Sequence, residues 1–364
     1  MSSYRVSLPL FPALVVIALC LVPDTTLART DLRSEEDKAK LRQTDVIHLE
    51  TLALTSTGSA DAAALHAAAA ARLEGLGYRI VRNQSPPTDL TVKIKCEALK
   101  TWEGTGRTGG DADMLDAASR LWKGPACQIT YRVGPRPADW RHEVRTPFAD
   151  LQEAAKRAGQ LDGEAFAIAA LVERVGTDDF PYRLAAEWGQ LERLISALDR
   201  PGVTTAQKVA LVGLIGSTQS VEAIPRVIAL TTDTDPDIAT AAATALGVIG
   251  DASCIQPLLS LLTSTRPEQR RMAAAGLGQL APLYPNSEIV PMMLKALPAE
   301  PVLTQILMVR ALGKTTDRRI LEPLRALHRS VLKRPPKDMT PDLAELRAAL
   351  GVALDQFDGT HTEE

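Results

Sequence analysis

The sequence predicts an α+β N-terminal module followed by an all-α solenoid of helical repeats, predominantly α overall. Three observations carry this. Residues 90–96 and 127–133 alternate apolar and polar side chains, as half-buried strands do. Beyond residue 147 the alternation gives way to apolar residues spaced three and four apart. Finally, Pro225, Pro257, Pro291 and Pro323 recur at spacings of 32, 34 and 32 residues, the beat of a repeat array. Composition agrees, because a chain of 364 residues holds two sizeable cores, and aromatics at 4% suit thin stacked helices. A net charge of -3 argues against wholesale nucleic-acid binding.

Residues 1–28 are expected to be a cleavable signal peptide. Arg5 precedes an apolar run over 8–22, and Thr26-Leu27-Ala28 offers small residues for cleavage after Ala28. Pro9 and Pro12 and the run's short length make a spanning helix a poor alternative. Cys20 raises lipidation, but Leu19 stands where a lipobox wants a small residue. The expected location is periplasmic or secreted, with membrane association only if this segment is retained. Residues 29–44 are charged without an apolar period and read as a flexible tether or frayed helix.

The α+β module is placed at 45–148. A strand is expected over 46–54, an Ala-rich helix over 61–76 ended by Gly75 and Gly77, a short strand over 78–81, and a break at Ser85-Pro86-Pro87. The two alternating strands follow, then a strand over 140–146. Cys96 ends the first alternating strand and Cys127 opens the second, both on the apolar face. An antiparallel pairing of these strands sets the thiols opposite each other and permits a disulfide, and the alternative is two buried free thiols. Cys254 lies in the repeats and reads as a small core residue.

Several motifs invite chemistry and lose it in context. Gly104, Gly106 and Gly109 spell G-x-G-x-x-G before a helical stretch at 114–121, yet the surrounding sheet reads as antiparallel and no P-loop lysine follows. Asp111, Asp113 and Asp116 fit a helix N-terminus better than a calcium loop. Asp233, Asp235 and Asp237 alternate as calcium ligands would, but the loop's glycine and closing glutamate are missing. Asp235 before Pro236 reads as an N-cap. The five histidines form no local pair at metal-ligand spacing, and His142 reads as a hydrogen-bonded core residue. With no H-E-x-x-H and no G-x-S-x-G, no metal, cofactor or catalytic residue is expected.

Residues 149–182 read as connecting helices, and a helix over 182–198 as the cap of an array covering 183–357, with a disordered tail over 358–364. Each recurrent proline falls in the first turn of a second helix, where its missing N–H costs nothing. Gly213, Gly247, Gly278 and Gly313 fall late in the first helices, where small residues allow close packing. Ala245-Leu246-Gly247, Ile249-Gly250-Asp251 and Pro257, then Arg270-Arg271 before Ala273-Ala274-Ala275-Gly276-Leu277-Gly278, resemble the HEAT-like repeat family. The likeness is to its short type, also found in phycobilin lyases, and covers about residues 183–330. It implies a solenoid that binds other proteins. Unit three departs from the pattern by inserting Tyr284-Pro285-Asn286.

Residues 310–337 carry nine basic side chains against Asp317 and Glu322, a local balance of +7. This is a solvated face or a seat for an anionic partner. The expected function is therefore an exported, non-enzymatic scaffold that holds a protein or peptide, an acidic one if the basic face takes part. Partner contacts are expected at polar positions of the second helices, namely Arg226, Gln256, Lys295, Arg325 and Arg329, on a concave face. The alternatives are a lyase-like enzyme, by the resemblance to phycobilin lyases, and a membrane-tethered structural envelope protein.

Overall fold

The computed structural model describes residues 34–81, 90–104, 120–148, 150–159 and 162–358. The expected signal peptide, the G-x-G-x-x-G loop after Gly104, Asp111, Asp113 and Asp116, the break at Pro86-Pro87 and the end of the tail lie outside these residues. In chain order the first part holds α1 (Glu35–Gln43), β1 (Val46–Thr55), β2 (Gly58–Ala60), α2 (Ala63–Gly75), β3 (Arg79–Val81), β4 (Leu90–Gly104), β5 (Arg120–Val133) and β6 (Arg136–Arg145). Within the stretch expected to be a free tether, α1 is a formed helix. Ser34 and Asp37 make a capping box, and Leu41 is buried in the core.

The sheet is mixed rather than antiparallel. Strand order is β2-β1-β4-β5-β6, with β1 parallel to both β4 and β3 and the other pairs antiparallel. The cause is α2, which carries the chain back across the sheet so that the strands after it run in the direction of β1. Strand β4 is longer than its alternating segment, and Arg120 and Leu121, expected in a helix, are in β5. Alternation still assigns the faces: Val92, Ile94, Cys96, Cys127, Ile129 and Tyr131 are all buried. Cys96 and Cys127 stand directly opposite in the β4–β5 register and form a disulfide.

Two helices, α3 (Leu151–Ala158) and α4 (Gly163–Thr177), follow, and α4 lies against α2 and across the sheet. The single cap helix expected over 182–198 is two, α5 (Phe180–Glu187) and α6 (Leu191–Leu198). Gly189 breaks it with a left-handed φ of 67°, which a side chain rarely tolerates. The bend drives Trp188 into the sheet module, edge-on to Tyr78 and Tyr131 at centroid distances of 5.7 and 5.5 Å.

Buried hydrogen bonds complete this junction. Tyr78 Oη donates to Gln190 Oε1 at 2.6 Å, while Gln190 Nε2 donates to the carbonyls of Leu41 and Thr44 at 2.6 and 2.9 Å. Arg193 stacks over the Tyr78 ring at 4.2 Å and donates to the Leu76 carbonyl. Burial pushes the Tyr78 phenol well above its ordinary value, outweighing the opposing pull of Arg193. The Tyr78–Gln190 hydrogen bonds fix one relative placement of the sheet and the helices, although the buried Trp188 Nε1 finds no partner among the described residues.

The array then pairs α7 (Thr205–Ser217) with α8 (Ile224–Leu230), α9 (Pro236–Ile249) with α10 (Ile255–Leu262), α11 (Pro267–Leu280) with α12 (Ile289–Ala296) and α13 (Val302–Gly313) with α14 (Leu321–Leu332). The long α15 (Pro341–Asp358) closes the stack on α13 and α14. Glycines let the first helices touch through their backbones. A Cβ on Gly247 would lie 2.7 Å from Gly276 Cα, and one on Gly313 would lie 2.8 Å from Ala353 Cβ. In the first unit this role falls to Gly216, packed on Ala245, and not to Gly213, which faces open space. The regular beat of 213, 247, 278 and 313 therefore mixes one surface glycine with three packing ones.

Candidate functional site

The turn inside each repeat sets where the second-helix side chains point. Asp251 and Asp317 cap short 3-10 turns at 252–254 and 318–320, accepting from Ser253 N and Arg319 N at 2.8 and 2.9 Å. The proline follows in the first turn of the α-helix, as its spacing predicts. A hydrogen bond from the Ser253 hydroxyl holds the Asp251 carboxyl below its ordinary range, and the Arg319 guanidinium does the same for Asp317. Asp235 caps α9 through Asp237 N, and the Thr205 hydroxyl of the preceding unit, donating at 2.7 Å, lowers its pKa further. These acids are structural caps, in keeping with the N-cap reading of Asp235.

The predicted contact residues fall on four different helices. Arg226 on α8 is half-buried and ion-paired to Asp199 at the end of α6, so it ties the first repeat to its cap. Gln256 on α10 and Lys295 on α12 are exposed. Arg325 is half-buried on α14 with Glu322 3.4 Å away, and Arg329 is exposed one turn further on. Of the basic stretch, Arg310 pairs with Glu345 at 3.0 Å, and Arg319 with Asp317. Lys314, Arg318, Arg329, Lys333, Arg334 and Lys337 are exposed. The structure thus brings the predicted residues together only at α14 and the turn after it.

Packing within the array is closest among the first helices. The close row is formed by the first helices α7, α9, α11, α13 and α15. Each of α8, α10 and α14 leans on the first helix of the next unit, and among second helices α10 also touches α12. Glycine and alanine at the first-helix seams are the cause of the close row, since only small residues allow backbone approach. The insertion in unit three has a use here: Tyr284 Oη donates to the Gly250 carbonyl at 2.9 Å and links two units.

One cluster was invisible in the local spacing. His142 on β6, Asp178 at the end of α4 and Asp179 at the start of α5 lie within 4.8 Å of one another, as metal ligands would. Their atoms are already engaged. Asp178 Oδ1 is 2.8 Å from His142 Nε2 and accepts from Phe180 N at 2.8 Å, while Asp179 Oδ1 accepts from Arg183 Nε at 2.8 Å. The donor set fits a helix junction tied to a strand better than a metal centre, and His142 is hydrogen-bonded as its place on the strand predicts. Cys254 is a buried free thiol whose pKa burial raises, so it has the properties of a core residue rather than a nucleophile.

Stacked helical hairpins over α7 to α15 define a helical-repeat array. Residues 191–278 match the family model of HEAT repeats, and this segment is a HEAT-repeat stretch. No curated protein matches the chain. Among solved structures, human deoxyhypusine hydroxylase in complex with glycerol is 15% identical, over 57% of this chain and 88% of its own, with a TM-score of 0.26. A likeness at that score carries no inference about fold or activity.

Proposed function

We propose that the protein is an exported, non-catalytic scaffold that holds an anionic segment of a partner protein against the last repeat. The observation that carries this reading is the exposed basic strip of α14 and the turn after it, where Arg329, Lys333, Arg334 and Lys337 lie on a preformed helical hairpin. A rigid surface loses little entropy on binding, and clustered charge speeds encounter with an oppositely charged partner. The Cys96–Cys127 disulfide supports an oxidising compartment, as does the apolar N-terminal run. The experiment is crosslinking in cells with the wild type and with the Arg325→Glu/Arg329→Glu variant, followed by mass spectrometry. Crosslinks from this strip to acidic segments should be lost in the variant; partners captured equally by both proteins refute the assignment.

A further inference from the structure

On the sheet module, away from the repeats, a cleft of about 640 Å³ opens between the β1–β2 turn, the start of α2 and the first three turns of α4. That volume is in the range of ligand and side-chain pockets. Its floor is apolar: Ala64, Ala165, Ile168, Ala169 and Val172 face it, and Ala64, Ala165 and Ala169 are exposed. The opposite side of α4 is apolar too, with Ala167, Leu171 and Val175 in the cores. The solvent face of α4 turns charge outward only further along, at Glu173 and Arg174, so the uncharged part lies over the cleft, where a partner's apolar side chains would be accommodated.

The rim states the partner's charge. Asp61, Asp162 and Glu164 line the cleft, and among the described residues no lysine or arginine does. One oxygen of each carboxylate is used locally. Asp61 Oδ1 accepts from Ala63 N, Asp162 Oδ1 from Glu164 N, and Glu164 Oε2 from Ser56 N, at 2.9, 2.9 and 2.8 Å. Capping of α4 accounts for Asp162 and a turn bond to Ala63 N for Asp61, but neither accounts for an apolar cleft beneath three negative charges. We infer that this cleft docks a short peptide segment of a partner protein, with aliphatic side chains on the floor and a lysine or arginine at the carboxylate rim. The site is separate from the basic strip and takes a partner of opposite charge.

Phage display of random peptides on the intact folded protein tests this. The expected result is a consensus of two or more aliphatic residues beside Lys or Arg. A synthetic consensus peptide should then bind about tenfold more weakly to the Asp61→Asn/Asp162→Asn variant, each lost exposed charge pair being worth a few-fold. Asparagine caps helices as well as aspartate does, so the fold is retained. Ala169→Glu, which fills the exposed floor, should abolish binding. An acidic or absent consensus, a peptide indifferent to both variants, or concentration-dependent self-association through the cleft would each overturn the inference.

Discussion

Replacing Gly247 by alanine separates helix propensity from seam packing, because Gly213 supplies a matched control. Both glycines lie inside first helices, and in each the added methyl group should gain about 1 kcal/mol of helix propensity. Around Gly213 nothing lies within 4 Å of the new Cβ, so that gain stands alone. At Gly247 the Cβ would meet Gly276 Cα at 2.7 Å and Gly276 O at 3.0 Å, which is backbone that no rotamer change can move. Helices α9 and α11 must part by several tenths of an ångström, and overpacking of this kind costs about 1–3 kcal/mol. The two variants should therefore differ by about 1–3 kcal/mol, with Gly213→Ala the more stable. In an array of this size each kcal/mol moves the melting temperature by roughly 2–4 °C. Thermal unfolding followed by circular dichroism reads this directly. A Gly247→Ala protein that melts at or above Gly213→Ala would refute the claim that the first helices pack backbone to backbone.

Other predictions follow from the junction, the caps and the disulfide. The Tyr78 phenol is raised above its ordinary 10.0, so its contribution is complete below pH 10 and is lost as pH rises beyond it. Tyr78→Phe should lower stability at neutral pH by about 1 kcal/mol, having left Gln190 Oε1 without its donor, and flatten the alkaline loss in urea titrations at pH 8 and 11. Asp235, Asp251 and Asp317 are lowered from 3.8, so their contribution is present above about pH 4 and disappears as pH falls through the folded values. Asp235→Asn, which keeps a cap, should lose less urea resistance between pH 6 and pH 3 than the wild type does. The disulfide closes a loop with a sequence separation of 31, and Cys96→Ala/Cys127→Ala should cost about 3–4 kcal/mol in denaturant unfolding. Thiol counting after denaturation without reductant should find Cys254 free and Cys96 and Cys127 unreactive.

What the sequence made legible is what neighbours within a turn or two can specify. Strand alternation, the prolines of the second helices and the cap at Asp235 depend on local geometry, and each is found where the pattern puts it. The errors lie where distant segments decide. Nothing local says that β1 runs parallel to β4, because that direction is set by the path of α2. The periodicity of α5 and α6 is continuous through Trp188, and only the sheet module, by burying that ring against Tyr78 and Tyr131, shows why Gly189 must break it. His142 and Asp178 are 36 residues apart and meet only in three dimensions. The glycines gave the repeat its beat, but Gly213 and Gly216 have equal claim in sequence, and only the neighbour Ala245 chooses between them. The same ambiguity hid the acidic cleft. Helix α4 carries Glu173, Arg174 and Thr177 on its solvent face only in its second half; in the first half, beyond Glu164, both sides are apolar, so that part of the pattern has no direction until the sheet takes one side and leaves Ala165 and Ala169 exposed on the other.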